Sequence, residues 1–232
     1  MSEATARSVA LLGAAAMARL KAAHVLVVGV GGVGSWCAEA LVRTGIGAVT
    51  LVDDDLVAVS NLNRQCPALA ATVGRAKVEA MRERLLAIAP DCRVTARAER
   101  YAGGWDLSAW DAVADAIDSV AEKAELVLAA VAAGIPLVSS MGAALRLDPT
   151  RVRRTRFEKV TGDGLARALR NRFRRLARTP GRFDCVWSDE APRPTVTAAG
   201  EPVRGSLMSV TATFGMCLAA GVIDRLVEVR GG

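Results

Sequence analysis

A glycine-rich turn near the start of the chain restricts the fold more than any other feature of the sequence. Residues 25–35 read VLVVGVGGVGS, in which an apolar run meets Gly29, Gly31 and Gly34 at the spacing G-x-G-x-x-G. A strand that ends in such a turn and opens a helix is typical of nucleotide-binding α/β proteins, because glycines let the backbone approach the phosphates. The turn therefore predicts a bound nucleotide, and by itself it does not distinguish NAD from ATP.

Strand and helix patterns alternate along residues 1–142. Strands are predicted at 25–30, 48–54, 92–98, 110–117 and 135–142, and helices at 7–22, 33–44, 77–89 and 122–134. This alternation predicts an α/β fold with a Rossmann-like, doubly wound and mostly parallel sheet. Ligands of such sheets bind outside the carboxyl ends of the strands. We therefore expect the glycine turn, Asp53 and Asp118 to lie at one edge of the sheet.

Composition favours a single cytoplasmic domain over residues 1–232. The chain is 52% hydrophobic, enough for one sizeable core. Its five cysteines form no C-x-x-C pair, which argues against a paired-thiolate zinc site and favours reduced thiols. The apolar run 206–223 is long enough to consider a membrane span, but its Ser, Thr and Gly content favours a C-terminal core helix. We expect no membrane partner.

A basic segment follows Pro149. Residues 151–182 contain eleven arginines and one lysine against Glu158 and Asp163, and residues 178–202 are rich in proline, glycine and turn residues. We interpret 151–202 as an Arg-rich helical and loop insertion that binds the substrate. Four arginines recur at helical spacing and are expected to share one face: Arg167, Arg170, Arg174 and Arg178. A phosphate-rich partner is the functional interpretation, and a solvated helix face is the alternative.

Two aromatic residues and a cysteine lie in the second half of this segment. Phe183 and Trp187 are candidates for stacking on an RNA base, with packing in the core as the alternative. Cys185 has no histidine nearby to act as a base, so we interpret it as a small apolar residue rather than a nucleophile.

The residues after the second strand favour ATP over NAD. Asp53 ends that strand and suits the ribose hydroxyls, which both nucleotides share. Beyond it come Asn61 and Arg64 in SNLNRQ, Lys77 at the start of a helix, and Asp118 after a strand. Hydride transfer does not require these groups, whereas cleavage of ATP between its α- and β-phosphates requires cations at the phosphoryl oxygens and a carboxylate for Mg²⁺.

The combined motifs resemble a known family. VGVGGVGSW, LVDDDLVAVSNLNRQ, VGRAK and DAIDS are similar to the ubiquitin-activating-enzyme-like, or ThiF-like, adenylyltransferases. Within that group RTGIGAVTLVD, VADAIDSV, GAALRLDPT, DGLARALR and FDCVWSDE resemble the tRNA threonylcarbamoyladenosine dehydratases, over residues 10–227. The resemblance implies a homodimer that uses ATP and Mg²⁺ to dehydrate a modified adenosine beside the tRNA anticodon, through an acyl adenylate.

The resemblance also implies roles for individual residues. Arg64, Lys77 and Asp118 are expected to be catalytic, and Asp118 to bind Mg²⁺. The residues expected to bind the nucleotide come from the glycine turn and from the three loops that follow it: Gly29, Gly31, Gly32, Gly34, Asp53, Asp55, Asn61, Arg64, Lys77 and Asp118.

Three positions depart from the family pattern. Ala10 stands where the family usually has an arginine that reaches the other subunit's ATP, and Arg7 or Arg19 are the candidates to replace it. Gly200 stands near a family cysteine, and Arg156 near a family aspartate. These departures concern substrate choice more than ATP chemistry.

The alternatives are a same-fold adenylyltransferase for another carboxylate (a sulfur-carrier protein tail or a metabolite), an NAD-dependent oxidoreductase, and a non-catalytic tRNA-binding relative. The sequence does not identify any sulfur-transfer partner. The chain ends in VRGG, as ubiquitin-like modifiers do, and we interpret this as coincidence.

Overall fold

A seven-stranded sheet forms the centre of the fold in the computed structural model, which describes residues 3–227. The VRGG ending lies outside the described residues. The strands are, in chain order, β1 (His24–Val28), β2 (Ala48–Val52), β3 (Arg93–Arg97), β4 (Ala112–Asp115), β5 (Leu137–Ser140), β6 (Val152–Arg156) and β7 (Asp184–Ser188). Their order across the sheet is β3-β2-β1-β4-β5-β7-β6, and every neighbouring pair is parallel except β6 and β7.

Helices cover both faces of this sheet. They are α1 (Ala6–Leu12), α2 (Ala14–Ala22), α3 (Gly34–Thr44), α4 (Lys77–Ile88), α5 (Val120–Ala132), α6 (Gly164–Arg175) and α7 (Met208–Val227). Successive residues of β1 point to two different cores, one on each face of the sheet. Val25 and Val27 face a core shared with α2, α3, α4 and α7. Leu26 and Val28 face the opposite core, which α5 and α6 cover. The predicted α/β class with a mostly parallel, doubly wound sheet is confirmed.

The order in which strands are added to the sheet changes side between β1 and β4. From β1 the chain passes outward through β2 to β3, and then returns to β4 on the other side of β1. A crevice forms outside the carboxyl ends of two strands at such a switch point, because their following loops diverge. Here those loops are the glycine turn after Val28 and the loop after Asp115, which are paired residues in the two strands.

Two local predictions were wrong. The helix predicted over 7–22 is two helices, since Gly13 has a φ of +82° and separates α1 from α2. The segment 151–202 contains more than a helix and loops, because β6 and β7 join the main sheet. The same segment also carries β8 (Thr195–Val196), which pairs with β9 (Pro202–Val203) in a small hairpin.

Helix α7 has the length and apolar composition of a membrane span. One of its faces packs on α3 and on strands β4 to β7, with Val210, Phe214, Leu218 and Val222 fully or almost fully buried. This burial supports the predicted core helix.

Candidate active site

A cleft of about 740 Å³ opens at the carboxyl ends of the strands around the switch point. Nine of the ten residues predicted to bind the nucleotide line it: Gly29, Gly31, Gly32, Asp53, Asp55, Asn61, Arg64, Lys77 and Asp118. The tenth, Gly34, begins α3 and is buried behind the turn. Four separate stretches of sequence therefore meet in one place.

The turn after β1 has no space for side chains at two of its glycines. A Cβ on Gly29 would lie 2.7 Å from the carbonyl oxygen of Ala116, and one on Gly34 would lie 1.7 Å from the carbonyl oxygen of Gly29. Helix α3 begins directly behind the turn, and no side chain caps its first N–H groups. An uncapped helix start behind a bare backbone turn is a suitable site for phosphate.

Asp53 and Lys77 face each other across the cleft wall. Asp53 accepts hydrogen bonds from the backbone N–H groups of Val30 at 2.7 Å and Asp55 at 2.9 Å. Lys77 is 5% exposed, and its Nζ lies 2.6 Å from Asp55 Oδ2 and 3.8 Å from Asp53 Oδ1. Burial raises the pKa of Asp53, and the nearby Lys77 charge opposes that rise. The pair thus presents an anchored carboxylate and a cation to the same space.

Arg64 lies in the loop between β2 and α4. Its guanidinium donates to the carbonyl oxygen of Ser60 and to Asn63 Oδ1, both at 2.9 Å. Asn61 Oδ1 accepts from the N–H of Ala58, so this side chain folds the loop back on itself. The Arg64 stem passes close to Gly32, where a Cβ would lie 3.3 Å from Arg64 Cγ. The arginine is therefore next to the glycine turn.

Asp118 is an exposed carboxylate at the mouth of the cleft, and it makes no hydrogen bond or ion pair with other residues between 3 and 227. Free carboxylate oxygens of this kind are suitable ligands for Mg²⁺. Asp53, Asp54 and Asp55 also lie close together. Each of the three already has partners, since Asp53 accepts two backbone N–H groups, Asp54 pairs with Arg100 and Asp55 pairs with Lys77. Asp118 fits the metal better.

A second wall of the cleft was not predicted. Arg146 is buried and donates to the Gly142 carbonyl oxygen at 2.9 Å and to Asp163 Oδ2 at 2.8 Å. Asp163 in turn accepts from the N–H of Ala166 in the first turn of α6. This pair joins the loop after β5 to the start of α6, and both residues line the cleft. The motifs GAALRLDPT and DGLARALR contained these residues, but their spacing carried no signal that they pair.

Two further polar side chains of the cleft were also missed. Gln65 Oε1 and the Tyr101 hydroxyl are buried and lack a hydrogen-bond partner among the described residues. Gln65 directly follows Arg64 in the NLNRQ motif, which was the available signal. Tyr101 is the only tyrosine of the chain and had none.

The four arginines predicted to bind tRNA lie outside this cleft. Arg167 and Arg174 are exposed on α6, and Arg178 follows the helix. Arg170 differs because its guanidinium lies over the Phe157 ring and donates to the carbonyl oxygens of Phe157 and Val160. Arg170 therefore holds α6 in place, and its availability to a phosphate is reduced.

The hypothesis that Phe183 and Trp187 stack on a base was wrong, because both are buried in the core beneath α5 and α6. Phe183 instead stacks on Phe157, with ring centroids 4.7 Å apart. Cys185 is also fully buried, and burial raises its pKa to about 12. A thiol with that pKa is not a nucleophile at neutral pH, in agreement with its interpretation as an apolar residue.

Comparisons with known proteins agree with this architecture. Residues 5–231 match the ThiF family. The tRNA threonylcarbamoyladenosine dehydratase of Escherichia coli is 40% identical over 94% of this chain and 91% of its own length. The Bacillus subtilis enzyme of the same name is 40% identical over 78% of this chain and 72% of its own. The crystal structure of the Escherichia coli enzyme in complex with ATP superposes with a TM-score of 0.87, 38% identity and coverage of 99% and 97% of the two chains.

Proposed function

The chain belongs to the ThiF family and, within it, to the tRNA threonylcarbamoyladenosine dehydratases, and we propose that it uses ATP to close the threonylcarbamoyl side chain of a tRNA adenosine into a ring. The observation that carries the proposal is the meeting of Arg64, Lys77 and Asp118 around the glycine turn in one cleft. Such a set of charges is suited to adenylyl transfer, in which negative charge develops on the α-phosphoryl group and on pyrophosphate.

In this proposal each part of the cleft has a role in binding ATP. The glycine turn and the start of α3 hold the phosphates, and the Asp53 carboxylate accepts hydrogen bonds from the ribose hydroxyls. Arg64 and Lys77 neutralise the phosphoryl oxygens. Asp118 would hold Mg²⁺, which would supply further positive charge to the phosphates.

The chemistry then has two steps. A carboxylate oxygen of the threonyl group attacks the α-phosphorus, the bond from that phosphorus to the bridging oxygen breaks, and pyrophosphate leaves with the bond electrons. The acyl adenylate is next attacked by a group of the same side chain, which closes the ring and releases AMP. The second attack is intramolecular, so proximity supplies much of its acceleration and no covalent enzyme intermediate is required.

The cleft has room for both reactants. The Asp53 half suits the nucleotide, while the half formed by Gly142, Arg146 and the start of α6 is left for the modified adenosine. Arg167 and Arg174 lie on α6, whose first residues line that half, and Arg178 directly follows the helix, so a tRNA held by the cleft would pass over them. We assign them to the phosphate backbone of the anticodon region.

We further propose a cytoplasmic homodimer. Large apolar side chains are exposed in the segment that also carries Asn61 and Arg64: Leu56, Val59, Leu62, Leu69 and Val73. Exposed apolar side chains grouped in this way mark a protein-binding surface. A second subunit on this surface would lie beside the nucleotide, where Arg7 or Arg19 of the partner would be available to the phosphates.

The decisive experiment is a nucleoside mass analysis. Purified protein is incubated with Mg²⁺, ATP and threonylcarbamoylated tRNA, and the digested nucleosides are examined for loss of one water alongside AMP formation. We expect both products from the wild type and from Asp91→Ala, which removes an exposed carboxylate away from the cleft, and neither from Asp118→Ala.

Other outcomes select the alternatives. Formation of AMP without the mass change assigns the chain to another carboxylate substrate. Binding of NADH without AMP formation favours an oxidoreductase. Binding of tRNA without ATP turnover indicates a non-catalytic relative.

A further inference from the structure

Gln65 combines an unpaired polar group with a position in the cleft. It is the only glutamine of the chain, the residue is 8% exposed, and it lines the cleft beside Arg64. Its Oε1 atom is enclosed and has no hydrogen-bond donor among residues 3–227. Buried amide oxygens in folded proteins are nearly always paired, so an exception inside a ligand cleft calls for a functional explanation.

The backbone around Gln65 is held firmly, in contrast to its side chain. Its own N–H donates to the carbonyl oxygen of Asn61 at 3.0 Å, and its carbonyl oxygen accepts from Ala68 at 3.1 Å. The two adjoining residues are tied to the first turn of α3 by Trp36 Nε1 to the Arg64 carbonyl oxygen at 2.9 Å and by the Cys66 N–H to Ser35 Oγ at 3.1 Å. These backbone hydrogen bonds thus fix the position of Gln65 and leave its side-chain oxygen without a partner among the described residues.

The side-chain amide of Gln65 lies next to the glycine turn. Its Nε2 atom lies 3.8 Å from the place where a Cβ on Gly31 would be. The residue before Gly31, Val30, donates its N–H to Asp53 at 2.7 Å. If Asp53 holds the ribose, the phosphate next to the ribose is the one that lies beside Gly31, and this is the α-phosphate.

We propose that the Gln65 side-chain amide is a ligand of the α-phosphoryl group and donates a hydrogen bond from Nε2 to one of its non-bridging oxygens. The assignment rests on the proposed function, because it requires the phosphates of ATP at this turn. Arg64 and Lys77 supply charge, and Gln65 adds a neutral, directional donor that does not depend on pH. The unpaired Oε1 is then a consequence of placing the NH₂ group toward the ligand.

The test separates phosphate binding from folding. Affinities for Mg·ATP, AMP and adenosine are measured by titration calorimetry for the wild type, Gln65→Met and Gln65→Glu, together with melting temperatures. Methionine keeps the length and removes the hydrogen-bonding groups, whereas glutamate adds a charge that repels phosphate.

We expect Gln65→Met to bind ATP and AMP about tenfold more weakly and Gln65→Glu about a hundredfold more weakly, with adenosine binding unchanged. The melting temperature of Gln65→Met should not fall, because the variant removes an unpaired buried oxygen. ATP and AMP affinities equal to those of the wild type in both variants, or an equal loss for adenosine, overturn the assignment to Gln65. A wild type that binds none of the three ligands overturns the proposed function as well.

Discussion

The indole Nε1 of Trp36 donates a hydrogen bond to the backbone carbonyl oxygen of Arg64, 2.9 Å away. Trp36 belongs to the first turn of α3, directly behind the glycine turn, and Arg64 belongs to the loop between β2 and α4. On its other side Trp36 packs against α7 at Gly215, where a Cβ would lie 2.8 Å from Trp36 Cβ. One side chain therefore sets the distance between the predicted phosphate cradle and the predicted cation.

Replacing Trp36 with phenylalanine should impair adenylation more than folding. The ring remains, but the Arg64 carbonyl loses its donor and the loop is free to shift. A single hydrogen bond is worth about 1 kcal/mol net, so we expect kcat/KM for ATP to fall about fivefold. The measurement is ATP-dependent AMP formation with modified tRNA.

Trp110→Phe is the matched control, because the indole N–H of Trp110 is buried without an acceptor. It removes the same atoms from a site away from the cleft and should leave kcat/KM for ATP unchanged. Equal losses in the two variants would mean that the effect comes from general loss of tryptophan packing.

This hydrogen bond marks the limit of what the sequence predicted. The motifs identified the glycine turn and the NLNRQ loop, and the rule for parallel sheets predicted that Asp53 and Asp118 would lie at one edge. The contact between Trp36 and Arg64 joins residues 28 positions apart in sequence, and nothing in local periodicity indicates that. Gln65 was quoted in the motif but not selected, because its significance depends on a missing partner.

Strands β6 and β7 were missed for different physical reasons. In β6 the arginines at 153, 154 and 156 hide the strand pattern, and each pairs with an acid that lies far along the chain: Asp189, Asp224 and Asp184. In β7 all five residues are buried, but the strand stands between Gly/Pro-rich segments that indicate a loop. Both strands form through contacts with residues far along the chain, which local sequence patterns do not reveal. The basic segment was therefore interpreted as an insertion outside the sheet.

The same pairing refines which arginines are available to tRNA. Arg174 and Arg178 have no ion pair in the described part of the chain, whereas the arginines of β6 pair with acids and Arg170 donates to two backbone carbonyl oxygens. Charge reversal in Arg174→Glu/Arg178→Glu should weaken tRNA binding at least tenfold. It should also lower the slope of log Kd against log salt concentration by about two, because two phosphate contacts are lost. Filter binding over a range of salt concentrations measures both.

The control for charge is Lys21→Glu/Arg93→Glu, which makes the same change in net charge with exposed residues near the opposite edge of the sheet. The Kd for ATP should stay constant in both double variants. If the two double variants weaken tRNA binding equally, Arg174 and Arg178 contribute only to net charge.

A buried ion pair beneath Asp118 should be important for stability. Lys123 Nζ donates to Asp115 Oδ2 at 2.8 Å, Ser139 Oγ donates to the same oxygen at 2.6 Å, and both charged side chains are fully buried. Lys123→Met leaves the Asp115 charge without its partner, and we expect a loss of about 3–5 kcal/mol in the free energy of unfolding. Urea denaturation measures it.

The double variant Asp115→Asn/Lys123→Met should recover most of that loss, since no unpaired charge remains. Lys21→Met, an exposed lysine, should change the free energy of unfolding by less than about 0.5 kcal/mol. A Lys123→Met variant as stable as the wild type would contradict this prediction.

Glu39 should make the fold sensitive to acid. Burial raises the pKa of its carboxyl, but hydrogen bonds from Arg84, Cys66 and Arg43 outweigh burial and hold the pKa at about 2, against an ordinary value of 4.5. A carboxyl whose pKa is lowered on folding contributes stability that is complete above the unfolded pKa and is lost as the pH falls. The contribution should therefore disappear between pH 4.5 and pH 2.

Glu39→Gln tests this because glutamine does not ionise in that range. At pH 7 the wild type should exceed the variant by on the order of 2 kcal/mol in the free energy of unfolding, and the difference should shrink steadily as the pH is lowered toward 2. Urea denaturation at a series of pH values measures both proteins, with Glu79→Gln as the control for a half-buried glutamate of α4 that pairs with Arg82. A difference that stays constant down to low pH would contradict the assignment. The loss in Glu39→Gln would then come from packing between α3, α4 and the Cys66 loop rather than from the charge that joins them.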